Sequence, residues 1–427
     1  MSYTNGLDKP SDYFRIKLYA GNATNNRAIT WEETDTNMQP NMLWFKSRTD
    51  TQTHGIFDSV RSAIKRLIPS STAAEGDEAA DLDSFDTNGF TVDAADNMNG
   101  SSRNFVTWGW KAGTSFTNDA SGTGIGSIDS AGSVNQDAGF SICSYTGTGS
   151  AGTIKHGLNS TPSTIILKNR IAGDIFWYVY HKSLGNDTEL YLNGNDAAPS
   201  STSAWNDTNP TSSVFSVGSH GGTNASGQAT IAYCFSEKQG YSKFGKYVGN
   251  NSTSGGFHYT GFKPSFIMIK RTDATADWRI YDDKRFRAGG PNNKLNYLEP
   301  NTSDAEADTD SGGAWDMLSN GFKFYTSEAT INGSGTYIYM AFAEQPLVTS
   351  TGVPATAKWF MKFMLLLSIC SLTHTECTTP MAYPIYFKDW NDCITEAYKL
   401  STNILKSFEV SKINERKIVP QFNCKEV

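Results

Sequence analysis

Pro40-Asn-Met-Leu-Trp-Phe-Lys46, Pro162-Ser-Thr-Ile-Ile-Leu-Lys168 and Pro264-Ser-Phe-Ile-Met-Ile-Lys270 are one pattern written three times. A proline is followed by a short apolar run and, six residues after the proline, a lysine; Arg48, Arg170 and Arg271 follow closely. A run this short is too brief for a helix and suits a strand buried on both faces. Proline at the entry loses no ladder bond there, and the lysine is expected to mark the exit to water. Strands are therefore predicted at 42–45, 165–167 and 266–269.

Working outward, each copy opens with Tyr-x-Gly: Tyr19-Ala-Gly-Asn22, Tyr145-Thr-Gly-Thr148 and Tyr247-Val-Gly-Asn250. Each closes with Asn, a small residue and Ser, then an aromatic strand: Asn99-Gly-Ser101 to Trp110, Asn224-Ala-Ser226 to Phe235, and Asn332-Gly-Ser334 to Phe342. Repetition of ordered features at this spacing predicts an all-β fold of three tandem β-sandwich repeats. The expected organisation is a repeat at 1–113, a Gly/Ser-rich linker at 114–138, repeats at 139–240 and 241–346, a linker at 347–360, and a different module at 361–427. The stretch 114–138 alternates weakly, so a flexible hairpin is also open there.

The balance of 36 Lys and Arg against 43 Asp and Glu, net −7, argues against a nucleic-acid binder, which carries a basic footprint. No run of about 18 apolar residues exists, so no membrane span is expected. The motifs His-Glu-x-x-His, Cys-x-x-Cys and Gly-x-Ser-x-Gly are absent, which weakens zinc-protease, zinc-ribbon and esterase readings. Gly240-Tyr-Ser-Lys-Phe-Gly245-Lys246 ends on Tyr247 where a P-loop needs a hydroxyl for Mg²⁺.

Two features point to ligands. Trp177 and Trp278 stand at matching places in two copies and are expected in the core, whereas Trp205 and Trp315 precede turns and are candidates for stacking on a sugar face. Asp304, Asp308 and Asp310, spaced for chelation but without an EF-hand pattern, are Ca²⁺ candidates set against the simpler reading of a solvated acidic loop. No other cofactor is expected.

From Met361 the chain changes character. Met361-Lys-Phe-Met-Leu-Leu-Leu-Ser-Ile-Cys-Ser-Leu372 has the layout of a secretory signal placed in mid-chain, so that the tail looks like a separate secreted protein fused to the body. A buried helix is the alternative. Apolar residues from Trp390 to Phe408 fall at helical spacing. Cys377, Cys393 and Cys424 offer three disulfide pairings, which spacing leaves open.

Longer motifs carry a resemblance. Ser84-Phe-Asp-x-Asn-Gly-Phe90, Trp108-x-Trp-Lys-Ala-Gly113, Tyr180-His-Lys-Ser-Leu184 and Tyr259-x-Gly-Phe-Lys-Pro264 resemble a family of marine bacteriophage structural proteins, tail-fibre-like or virion-associated. The resemblance covers about residues 12–346. It implies lectin-like sandwiches of concanavalin or jelly-roll type, a place on a tail or capsid surface, and other virion proteins or a host-surface glycan as partners. It supplies no catalytic residue. A non-enzymatic virion protein is the expectation, since repetition serves display and avidity. A glycan depolymerase and a purely architectural oligomerisation module are the alternatives. A β-protein this poor in charge is also expected to hide strand edges in a homo-oligomer.

Overall fold

Every predicted lysine-terminated run is a strand in the computed structural model, which describes residues 7, 9–33, 35–285, 296–307, 315–344, 363–371, 376–378, 381–387, 390–407, 413–414 and 418–426. The chain divides into two compact units, Met1–Ala355 and Thr356–Val427.

In the first unit, module 1 holds β1 Phe14–Ala20, β2 Arg27–Thr30, β3 Met42–Ser47, β4 Gly55–Asp58, β5 Ser62–Leu67, β6 Gly76–Asp77, β7 Leu82–Asp86, β8 Gly89–Val92 and β9 Asn104–Trp110. Module 2 holds β10 Thr114–Asn118, β11 Ser130–Asn135, β12 Phe140–Thr146, β13 Gly152–Lys155, β14 Thr164–Asn169, β15 Tyr178–His181, β16 Val214–Val217 and β17 Ala229–Phe235. Module 3 holds β18 Ser242–Val248, β19 Phe257–Tyr259, β20 Phe266–Arg271, β21 Arg279–Asp282, β22 Trp315–Leu318, β23 Gly321–Phe324 and β24 Thr336–Phe342. The fold is all-β. The strand order β1-β9-β3-β4 recurs as β12-β17-β14-β15 and β18-β24-β20-β21, and each such sheet is joined by a smaller one: β2-β8-β7, β13-β16 or β19-β23-β22. Residues 114–138, read as a linker, instead form the β10–β11 hairpin that extends the module 2 sheet beyond β12.

The opening and closing motifs bind each other. Tyr19 Oη donates to Met98 O at 2.6 Å and Tyr247 Oη to Ile331 O at 2.6 Å, with Tyr145 Oη on Thr223 O in the second copy. The Asn99, Asn224 and Asn332 side chains accept from the backbone N–H of Asn22, Thr148 and Asn250 at 3.1, 2.8 and 3.3 Å. A Cβ on Gly21, the glycine of the first Tyr-x-Gly, would lie 2.1 Å from Gly100 O, so this close approach requires glycine.

The modules are not beads on a string. Each has its own core between its two sheets, around Phe45 and Phe90, Ile165 and Phe215, or Ile269 and Phe322. The other faces of the three larger sheets meet in one shared core. At its centre stand the last residues of the three closing strands. Trp110 and Phe235 have ring centroids 6.4 Å apart, Phe235 and Phe342 5.7 Å, and Trp110 and Phe342 5.7 Å. Sheets apolar on both faces thus bury both, at about 1.5–3 kcal/mol per large side chain.

In the second unit the apolar run is a strand, not the alternative buried helix. Phe363–Ser371 is strand β25, paired with β28 (Ile418–Glu426) on one edge and with β26 (Glu376–Cys377) and β27 (Met381–Phe387) on the other. Flanking strands on both edges satisfy its backbone, and Leu365 packs against Cys393 and Ala397 of the helix Trp390–Ser407. Cys393 pairs with Cys424, one of the expected alternatives. Cys377 pairs with Cys370, outside the three expected pairings, because the β25–β26 register puts the two opposite each other. The expected linker at 347–360 lies outside the described residues. Among the described residues no helix is long and apolar enough to cross a membrane.

Candidate functional site

The predicted ligand residues do not assemble. Trp205 and Trp315 are each 1% exposed and belong to the module 2 and module 3 cores, so neither offers an indole face. A tryptophan beside a turn closes the end of a sandwich, and its size favours burial there. Asp304 is exposed, and Asp308 and Asp310 lie outside the described residues. Among the described residues no three His, Cys, Asp or Glu side chains are grouped to hold a metal.

The lysines expected at the water boundary are fully buried. Each ammonium caps backbone carbonyls, those of the preceding module for Lys168 and Lys270 and those of its own module for Lys46. Lys168 Nζ donates to Thr72 O of module 1 at 3.0 Å and to Ile175 O. Lys270 Nζ donates to Asn195 O and Asp196 O of module 2 at 3.2 and 2.9 Å. Lys46 Nζ donates to Ser47 O and Asp50 O at 2.7 and 3.2 Å. Burial pulls all three down to about 8.

Further contacts close a ring, module 1 to 2, 2 to 3 and 3 to 1. At each seam a ring N–H meets a carbonyl of the preceding module. Trp177 Nε1 donates to Ile68 O at 3.0 Å and Trp278 Nε1 to Tyr191 O at 2.9 Å. His54, at the matching place in module 1, brings Nε2 to 3.0 Å from Glu299 O. A backbone link repeats too: Glu75 N to Arg170 O at 2.9 Å, Ala198 N to Thr272 O at 2.9 Å, and Glu306 N to Arg48 O at 2.8 Å.

Two seams add buried charge clusters. At the first, Asp58 accepts from Arg61 Nε at 2.5 Å and from Tyr233 Oη at 2.7 Å, while Glu75 takes a fork from Arg170 at 2.9 and 2.8 Å. Arg61 Nη1 also reaches Glu75, at 2.9 Å. The 3-to-1 seam repeats this with Asp282, Arg285, Trp108 Nε1, Glu306 and Arg48 at 2.6–3.0 Å. Burial works to raise Glu75 and Glu306, but their paired arginines hold both carboxyls below the usual range. The 2-to-3 seam has His181, Leu184, Ala198, Thr272 and Met340 at the matching places. There His181 Nε2 lies 3.3 Å from Tyr339 O, and a cavity of about 10 Å³ remains, lined by Val179, His181, Met268, Trp278 and Met340 among others. That is barely room for one water. Burial pushes His181 down to about 4, partly offset by Tyr339 O.

Sequence reading missed these clusters, although Asp58-x-x-Arg61 and Asp282-x-x-Arg285 against His181-x-x-Leu184 was a signal available in the repeat itself. The charges of these two clusters thus hold modules together, while Arg66–Asp81 and Arg279–Glu299 are paired within a module. Of the exposed large apolar side chains, which include Ile171, Phe176 and Val248, three aromatics gather on the smaller sheet of module 3. There Phe257 and Tyr259 project from β19 and Tyr325 follows β23, at 45%, 62% and 38% exposure.

A family described as a domain of unknown function (DUF7483) matches residues 9–346, and the chain belongs to it. No curated protein and no solved structure matches the chain.

Proposed function

We propose that the protein is a non-enzymatic structural protein of a bacteriophage virion, carried on the tail or capsid surface, where it contacts another virion protein or a host-surface glycan. The observation that supports this reading is the closed ring of seams. Asp58, Arg61, Glu75, Arg170, Asp282, Arg285, Glu306 and Arg48 are paired at module junctions, which favours a rigid body, and the outer sheets and loops are left to meet partners. A rigid body with repeated outer faces suits display and multivalent contact.

Antibodies against residues 9–346, applied to particles purified from a culture that carries this gene, should decorate tails or capsids in negative-stain electron microscopy. Label found only on cell debris sinks the virion assignment. Incubation with bacterial surface polysaccharides should release no reducing ends. Turnover that is lost on changing a single carboxylate would replace the display reading with a depolymerase.

A further inference from the structure

We propose that the module 3 outer sheet is a sugar-stacking platform, with Phe257, Tyr259 and Tyr325 receiving the C–H faces of a β-linked hexopyranose chain. This rests on the surface-display reading and names the ligand class it would take. The three modules supply their own control. Register pairs Ile29 with Phe90, Ile154 with Phe215 and His258 with Phe322, so the outward neighbours of these inward residues can be matched. Where module 1 has Ala28 and Thr30, and module 2 has Thr153 and Lys155, module 3 has Phe257 and Tyr259. Across the ladder, Asp93 and Gly218 are matched by Tyr325. The fold therefore does not need aromatics here, and leaving large rings in water gains the folded state nothing.

A Cβ at Gly321 would lie 2.2 Å from His258 O and 2.8 Å from the Phe257 ring; the backbone approach, which Gly89 also makes to Ile29 O in module 1, requires the glycine, and the Phe257 ring lies over it. Phe257 and Tyr259, alternate residues of one strand, project from the same face about 7 Å apart. Polar groups stand among the rings. Lys323 lies opposite Phe257, with Asp316 opposite Lys323 on β22. Lys323 Nζ sits 5.1 Å from the Tyr325 ring centroid. Ring faces with an ammonium donor and a carboxylate acceptor beside them match a sugar whose hydroxyls are equatorial: apolar faces above and below, hydroxyls at the rim.

Area decides against a protein partner. Three rings of about 200 Å² each, roughly half exposed, offer about 300 Å², well below the roughly 800 Å² per partner of a stable protein interface.

The test is calorimetric titration of the full chain with cellohexaose and chitohexaose, with isomaltohexaose as the α-linked control. At least one β-linked probe should bind and the control should not. The double substitution F257A/Y259T installs the residues module 1 carries, so its melting temperature should be unchanged while binding falls at least tenfold. Tyr325→Ala should weaken it several-fold. Absence of binding to both β-linked probes, or binding that survives F257A/Y259T, overturns the platform. So does a concentration-dependent dimer abolished by that variant, which would assign the patch to a second copy. Particle labelling with failed sugar binding removes the platform alone; sugar binding without labelling removes the virion assignment alone.

Discussion

The 1-to-2 and 2-to-3 seams join the same strands with the same backbone link, yet one encloses Asp58, Arg61, Glu75, Arg170 and Tyr233 and the other His181, Leu184, Ala198, Thr272 and Met340. Geometry is held in common by the indole N–H, the capped lysine and the backbone bond. The ion cluster is an option on top of them. Buried ion pairs lose in desolvation much of what they gain in attraction, so an apolar set of similar volume can serve the same seam. Removing one partner is different, because the survivor is left charged and dry.

That contrast yields its largest effect in Arg61→Leu. Asp58 and Glu75 lose a shared cation, and urea unfolding should show a loss of about 3–5 kcal/mol. Converting the whole seam with D58H/R61L/E75A/R170T/Y233M should recover most of that loss, since it installs the chemistry the 2-to-3 seam already uses. A converted seam less stable than R61L alone would show that the ion cluster, not the backbone, holds the geometry.

Next in size is Lys168→Met, which strands the Thr72 and Ile175 carbonyls and should cost about 1–3 kcal/mol. The same lysines give a pH signature. Their pKa is about 8 folded against 10.5 unfolded, so the unfolded chain binds more protons between these values and stability rises with pH from 8 to about 10, where tyrosines of the unfolded chain begin to ionise. Below pH 8 the burial penalty is present in full. Melting temperatures across this window should climb less steeply in Lys168→Met than in the parent; equal slopes would dismiss the buried ammonium.

His181 gives a window on the acid side. Folded near 4 against 6.5 in the free group, it contributes stability that is present above pH 6.5 and lost as pH falls towards 4. His181→Leu should flatten that part of the profile by one proton's worth. The smallest effect is expected from Trp278→Phe, which removes the indole donor to Tyr191 O beside the cavity and should cost about 1 kcal/mol by thermal melt. A loss as large as that of R61L would mean the apolar seam depends on a single bond.

Much of the architecture could be read directly. Three Pro-x₅-Lys runs gave their strands, and Tyr-x-Gly with Asn-x-Ser marked the ends of each module, because these features act between neighbours in one sheet. The helix at 390–407 followed from its periodicity. What failed depended on partners far away in the chain. A lysine after an apolar strand reads as an exit to water until Thr72 or Asn195 carbonyls from another module are found around it. Trp205 and Trp315 stay open between core and surface until a second sheet covers them. Cys370 has no partner to read from the chain until β26 is laid beside it.

The sequence by itself determined the strands, their repetition and the β class, since period, turn residues and short apolar runs are local properties of a chain. Only the tertiary structure decided that the modules share one core closed by Trp110, Phe235 and Phe342, that the Asp58–Arg61 and Asp282–Arg285 clusters serve seams, and that three aromatics face outward together on the smaller sheet of module 3. Burial and pairing are properties of what lies opposite a residue, and nothing in a residue's own neighbours along the chain specifies that.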